Sequence, residues 1–265
     1  MTDLYFLGGR DLEMAEIAAL LARHAPGRVV DDGLAWGARA SHYLDRIEAA
    51  LGENRTPVLV ELYDDLPACI GRTGIAIIDH HGELAGADKP TSLEQVFARL
   101  GLSPQAWTRR MALVAANDRG HIPEMAAIGA GTAEMAEIRR QDRAAQGVGA
   151  QDEREALAAI AAREIFGPLT LLRVPGPSSS AAADMIQPEL GGPGCEDLLV
   201  ATGKGLAFYG RGGVVLRLAE SIPGGWSGGA LPARGFWGID IAPGREREAL
   251  LRQVALRCAE RRETP

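Results

Sequence analysis

Four short apolar runs, each shut off by glycine or by acids, alternate with helix-spaced segments over the first eighty residues. That alternation limits the chain to an α/β fold with a parallel or mostly parallel sheet covered on both faces. Leu4-Tyr5-Phe6-Leu7 is closed by Gly8-Gly9, and Arg28-Val29-Val30 is stopped by Asp31-Asp32-Gly33. Pro57 to Tyr63 reads as a third strand. Gly74 to Ile78 reads as a fourth and ends abruptly in Asp79-His80-His81. Between them, Met14, Ile17, Leu20 and Leu21 mark one helix face, and Leu44, Ile47 and Leu51 mark another.

From Pro90 to about Phe166 the pattern becomes mainly helical. Ser92 to Leu100 is one helix stopped by Gly101, and Ser103-Pro104 is expected to cap and open the next. Glu134 to Ile165 reads as a polar, Ala-rich helical bridge broken near Gly147-Val148-Gly149. After Gly167-Pro168 the texture changes to strands at 169–174, 197–201 and 214–218 with Gly-rich turns, then an amphipathic helix from Arg245 to Arg262. The expected division is a first domain at 1–147, a helical linker at 148–167 and a smaller α/β domain with a mixed or antiparallel sheet at 168–265.

The 265 residues carry a formal net charge of −7. That acidity argues against coating long nucleic acid by phosphate neutralisation but leaves room for a small anionic substrate. Three cysteines without a CxxC pair suggest neither a disulfide framework nor a zinc ribbon. No apolar stretch approaches the ~18 residues of a spanning helix, and no leader-like segment opens the sequence. The expectation is a cytoplasmic protein without a membrane partner.

Acids gather at the ends of the apolar runs. Asp11 and Glu13 follow the first, Glu61 interrupts the third, Asp79-His80-His81 follow the fourth, and Asp118 follows the apolar helix ending at Asn117. Ligands of open α/β folds collect at that carboxyl edge. Each residue also has a plainer role. Asp11 and Glu13 suit the first turn of a helix, where the macrodipole favours acids. Glu61 suits a partner arginine or a sheet edge, Asp118 suits a helix cap, and a His pair after a strand suits a solvated loop. A carboxylate inside a buried strand is unfavourable unless paired or bound to a cation, which makes Glu61 the hardest to dismiss. The run Arg139, Arg140, Asp142 and Arg143 reads first as a solvated helix face and second as an interior network.

In this order the residues resemble the DHH phosphoesterase superfamily. Its members carry an acidic motif after the first strand, a lone acid after a later one, the Asp-His-His triplet, and an Asp some forty residues on. The corresponding residues are Asp11 and Glu13, Glu61, Asp79-His80-His81, and Asp118. The second half resembles the family's associated smaller domain, DHHA1, with Gly224-Gly225-Trp226-Ser227-Gly228-Gly229 as its Gly-rich loop. The family's first motif usually begins with His; this chain has Gly8 there, and Glu stands for Asp at two acidic positions.

The resemblance implies a hydrolase holding one or two Mn²⁺ ions, or another divalent transition metal, on Asp11, Glu13, Glu61, Asp79, His80 and Asp118. Asp79, His80 and His81 would form its catalytic centre. The expected substrate contacts are His81, Arg119, His121, Arg211, Gly224, Gly225, Gly228, Gly229 and Arg234. The implied partners are a small phosphorylated molecule, such as a short or cyclic nucleotide, and a second copy of the chain in a homodimer. The altered first motif supports the alternative of a catalytically impaired, DHH-like ligand-binding or regulatory protein.

Overall fold

A computed structural model of the protein describes residues 2–80, 89–229 and 231–259. The chain divides into two compact units, Met1–Gly147 and Val148–Pro265. The first holds a four-stranded sheet of β1 (Thr2–Leu7), β2 (Val29–Val30), β3 (Arg55–Val60) and β4 (Ala76–Ile78). Its order is β2-β1-β3-β4 and every pairing is parallel. Both this sheet and the mixed sheet described below match the expected α/β class.

Register decides where the site forms. β1 and β3 pair from Thr2↔Arg55 through Leu7↔Val60, so the residues that follow them, Gly8 and Glu61, emerge side by side. From β1 the chain goes to β2 on one flank, and β3 lies on the other. The crevice outside the carboxyl ends of β1 and β3 is therefore a topological switch point, where ligands of open α/β sheets bind.

The period of two along β1 serves both faces. Leu4 and Phe6 join Tyr43, Ile47 and Leu59 in one apolar cluster, under α2 (Leu44–Gly52). Tyr5 and Leu7 are buried on the opposite side. There α1 (Leu12–His24) packs against α3 (Ser92–Arg99), α4 (Arg109–Ala127) and α5 (Thr132–Ala145), burying Ile17, Leu20 and Leu21.

Two local expectations change. Pro104–Ala106 forms an isolated 3-10 turn, and α4 begins later, capped by Thr108 through a 3.2 Å bond from the Met111 amide. Trp107, in extended backbone, separates the two. The polar stretch expected as a helical bridge is two helices, α5 and α6 (Ala150–Ala161), separated at Gly147. Ala156, Ala159 and Ile160 of α6 pack among Leu172, Val174, Leu198 and Val200. Residues 148–167 thus contribute α6 and the edge strand β5 (Glu164–Phe166) to the second unit.

That unit has a six-stranded mixed sheet in the order β5-β6-β7-β8-β10-β9. Its remaining strands are β6 (Leu169–Arg173), β7 (Asp197–Ala201), β8 (Gly205–Arg211), β9 (Trp226–Gly228) and β10 (Arg234–Asp240). One face carries α6 and α7 (Ser180–Met185). The other carries α8 (Gly212–Ser221) and α9 (Arg245–Ala259), with Leu171, Phe208, Val215, Trp237 and Val254 inside. The expected strand at 214–218 is α8. Val214, Val215 and Leu218 are buried while Leu216 is exposed, a helical rather than an alternating pattern.

The cysteines are free, and burial pushes the Cys258 thiol up to about 12. Among the described residues no helix is long and apolar enough to cross a membrane.

Candidate active site

Three carboxylates from three elements converge beside the switch point. Ligand oxygens of Glu13, Glu61 and Asp118 all lie within 4.8 Å of one another. Each is delivered by a local feature of the chain. Asp11 caps α1, accepting from the Met14 amide at 2.7 Å, and so starts the helix that places Glu13 in its first turn. Glu61 follows β3 directly, with a left-handed φ of 51° and its amide bonded to the Ile78 carbonyl at 2.9 Å. It therefore stands at the end of the third strand rather than within it, and the left-handed turn redirects its side chain there.

Asp118 comes from α4 just before a break. Gly120 and His121 leave helical geometry, His121 with φ 55°. Pro123, which lacks an amide proton and would clash with the turn before it, accounts for the break. Asp118 thus sits near the C-terminal end of a helical stretch, where the macrodipole disfavours an anion. A site that gathers three carboxylates there calls for a compensating cation.

Glu13 is the most constrained of the three. Only 2% of it is exposed. Oε1 accepts from the Leu93 amide at 2.8 Å, whereas the buried Oε2 has no hydrogen-bond partner. Burial, then the negative charges of Asp118 and Glu61, hold its carboxyl well above the usual range; the Leu93 amide and Thr91 hydroxyl oppose that shift. A buried carboxylate oxygen without a donor, facing two further carboxylates, fits a divalent cation. The donors of this trio are all oxygen, a set that suits Mg²⁺ and Mn²⁺ alike.

Glu61 also opens onto a hollow of about 200 Å³, where Asp11, Asp79, Gly9, Trp36 and Tyr63 are among its neighbours. Asp79 follows β4, its carbonyl receiving the Gln95 side-chain amide at 2.9 Å. His80 is buried and lies outside the trio. His81 lies outside the described residues.

Beneath Asp118 runs an interior network. Arg139 donates to Asn117 at 2.9 Å and to Asp142 at 2.8 Å, and its guanidinium meets His121 Nδ1 at 3.0 Å. Asp142 also accepts from the Leu12 amide at 3.2 Å. Arg139, Asp142 and Arg143 are buried, which corrects the solvated-face reading for these three, while Arg140 is exposed and pairs with Glu137. The face is needed inside because α5 packs on α1 and α4, and the network ties the start of α1 to the middle of α4.

The expected substrate contacts are placed less simply. Arg119 pairs with Glu94 at 2.5 Å, and Glu94 completes the capping box of α3. Arg211 grips the fully buried Asp197 through Nε at 2.8 Å and through Nη2. Arg234 donates to the Glu196 carbonyl at 3.0 Å. Gly224 lies in the turn before β9, and Gly228 pairs with Phe236 in the β9–β10 hairpin. A Cβ on Gly225 would meet Trp237 Nε1 at 2.6 Å, and one on Gly229 would meet Gly235 Cα at 2.7 Å. Gly225, Gly228 and Gly229 are thus close-packed around the β9–β10 pair, while Gly224 takes a left-handed φ of 83° with open space beside it. The residues not singled out by sequence are Trp36 and Tyr63, because an aromatic residue in a loop leaves no periodic signal.

No protein-family model matches the chain, and no curated protein does. Solved structures do. A pGpG-specific phosphodiesterase, PggH, from Vibrio cholerae is 12% identical, with a TM-score of 0.42 over 98% of this chain and 100% of its own. The exonuclease RecJ bound to manganese is 13% identical, with a TM-score of 0.47 over 99% of this chain and 91% of its own. RecJ from Thermus thermophilus in complex with Mn²⁺ is 13% identical, with a TM-score of 0.49 over 97% of this chain and 52% of its own. At these identities the likeness carries no statement about activity, which is read from the residues themselves.

Proposed function

We propose that the chain is a divalent-cation-dependent phosphoesterase of DHH type acting on a small phosphorylated substrate. The observation that carries this reading is Glu13: a buried carboxylate whose Oε2 has no hydrogen-bond donor, set against Glu61 and Asp118 within 4.8 Å. The ordered motifs from Asp11 to Asp118 support it.

Glu13, Glu61 and Asp118 would hold the cation. When bound, Mg²⁺ or Mn²⁺ supplies an acidified water and neutralises charge on the phosphoryl oxygens. The residues of the chain do the rest. Asp11 fixes the first turn of α1 and with it Glu13. The left-handed turn at Glu61 presents one carboxylate to both the trio and the hollow. Asp79, which lines that hollow with Glu61, would take a proton from an attacking water or hold a second cation. The Arg139–Asp142–Asn117 network keeps α4 and α1 in register, so that the carboxylates stay converged without substrate.

The test is hydrolysis of a small phosphodiester by the full chain with Mn²⁺ or Mg²⁺ added, beside the Asp118→Asn variant. Turnover that requires added cation and falls at least a hundredfold in the variant supports the reading. Turnover unaffected by chelator, or equal in the variant, contradicts it. Tight ligand binding with no turnover under any cation would favour the impaired, ligand-binding alternative. The specific observation on that side is Gly8, where the family's first ligand is missing.

A further inference from the structure

Trp36 and Tyr63, at 84% and 64% exposure, are the most exposed Trp, Tyr or Phe side chains among the described residues, ahead of Phe166 at 50% and Trp226 at 49%. Both line the hollow that Glu61, Asp79 and Asp11 share. Leaving such rings in water forgoes burial that aromatic side chains normally obtain. Their backbones are nevertheless fixed. The Tyr63 amide donates to the Ala38 carbonyl at 3.0 Å, and the Ala40 amide donates to the Tyr63 carbonyl at 3.0 Å. Arg39 and Tyr63 thereby form a parallel bridge that extends the sheet past β3. Gly9 approaches so closely that a Cβ there would lie 2.7 Å from Trp36 Cα. Tyr63 is also oriented by the Arg39 guanidinium, 5.0 Å from its ring centre, and Arg39 is in turn held by Asp65 at 3.4 Å.

Resting on the phosphoesterase reading, we propose that this hollow is a base site: Trp36 and Tyr63 are stacking surfaces for the nucleobase of a nucleotide substrate whose phosphate meets the carboxylate cluster. The chemistry of the walls selects the ligand. Asp11, Glu61 and Asp79 are the ionisable carboxyl groups of the lining, and no lysine or arginine joins them among the described residues. Apart from the Arg39 guanidinium at the Tyr63 ring, an anionic group is therefore repelled except beside a bound cation. The portion that lies against the two rings must be uncharged and flat. A base joined through a sugar to phosphate has that division, and base–aromatic stacking tolerates any base because each has a π face. An aliphatic phosphoester gains nothing from these rings.

The experiment compares the full chain with its Trp36→Ala, Trp36→Phe and Tyr63→Leu variants in Mn²⁺, on a linear dinucleotide and on its abasic counterpart. For the dinucleotide, Trp36→Ala and Tyr63→Leu are expected to raise KM on the order of ten- to a hundredfold, the range that loss of a stacked base gives. Little change in kcat is expected, and Trp36→Phe should restore most of the loss. KM for the abasic substrate should be unchanged throughout. Equal effects on both substrates, or none on either, overturn the base site while leaving the phosphoesterase reading intact. If the wild type hydrolyses neither, that reading fails, and quenching of Trp fluorescence decides the base site alone. AMP should quench the wild type and not Trp36→Phe, and ribose 5-phosphate should quench neither; equal quenching by the two ligands, or none by AMP, overturns it.

Discussion

Gly8 lies against the backbone of Glu61 so tightly that a Cβ on Gly8 would fall 2.2 Å from the Glu61 carbonyl oxygen and 2.8 Å from that of Val60. The contact follows from the register of β1 with β3, and it explains why the first acidic motif begins with glycine here. Gly8→Ala should therefore destabilise the protein by about 1–3 kcal/mol, the usual range for overpacking. Gly8→His should cost more and gain no cation affinity. Denaturant unfolding and Mn²⁺ titration of both variants check this. A stable Gly8→His variant with tighter Mn²⁺ binding would refute it.

Glu13 makes a contribution to the stability of the cation-free protein that falls as pH rises. Its carboxyl is held above the ordinary value of 4.5, so over that window the folded state keeps a proton that the unfolded chain has released. The contribution of Glu13 to stability is then fully present below about pH 4.5 and is lost as pH rises through the folded value. Glu13→Gln should match the wild type near pH 4 and exceed it near pH 8 in chelator. Excess Mn²⁺ should raise the wild-type Tm at pH 8 and leave that of the variant unchanged. Thermal unfolding at the two pH values, with and without cation, reads all four cases.

The interior network is expected to act on stability and cation affinity together. Asp142→Ala removes the buried carboxylate that accepts from Arg139 at 2.8 Å. Removing one member of a buried pair costs about 3–5 kcal/mol. Because the same carboxylate bonds the Leu12 amide, Mn²⁺ affinity should fall even where the variant remains folded. Unfolding curves and a Mn²⁺ titration at low temperature separate the two effects.

Arg211 distinguishes a structural from a substrate role in the second unit. It compensates Asp197, which is fully buried. Arg211→Ala should accordingly lower stability by about 3–5 kcal/mol, whereas Arg234→Ala, at an exposed carbonyl contact, should change it by less than about 0.5 kcal/mol. Parallel denaturant curves decide between these outcomes.

Much of the first unit was legible in the sequence because a buried strand and an amphipathic helix leave different periods. Leu4 to Leu7 and the Met14–Leu21 face are where those periods put them. The acids were legible for a related reason, each being an interruption or terminus of an apolar run. Their division of labour was not. Glu13, Glu61 and Asp118 meet because β1 and β3 share a register and Pro123 breaks α4, and no local spacing encodes either meeting. In the second unit, Gly205 and Gly210 made β8 read as a turn although close packing requires them. Val214-Val215 carried β-branched character into a helix whose face is set by the sheet below. Trp36 and Tyr63 escaped notice because exposure has no sequence period.

Glu13, Glu61 and Asp118 are proposed to hold one divalent cation. Anomalous diffraction from crystals of the full chain grown with Mn²⁺ tests it most directly. A peak is expected at about 2.0–2.3 Å from a carboxylate oxygen of each of these three residues. A peak bound only elsewhere, or no peak at saturating Mn²⁺, would contradict it.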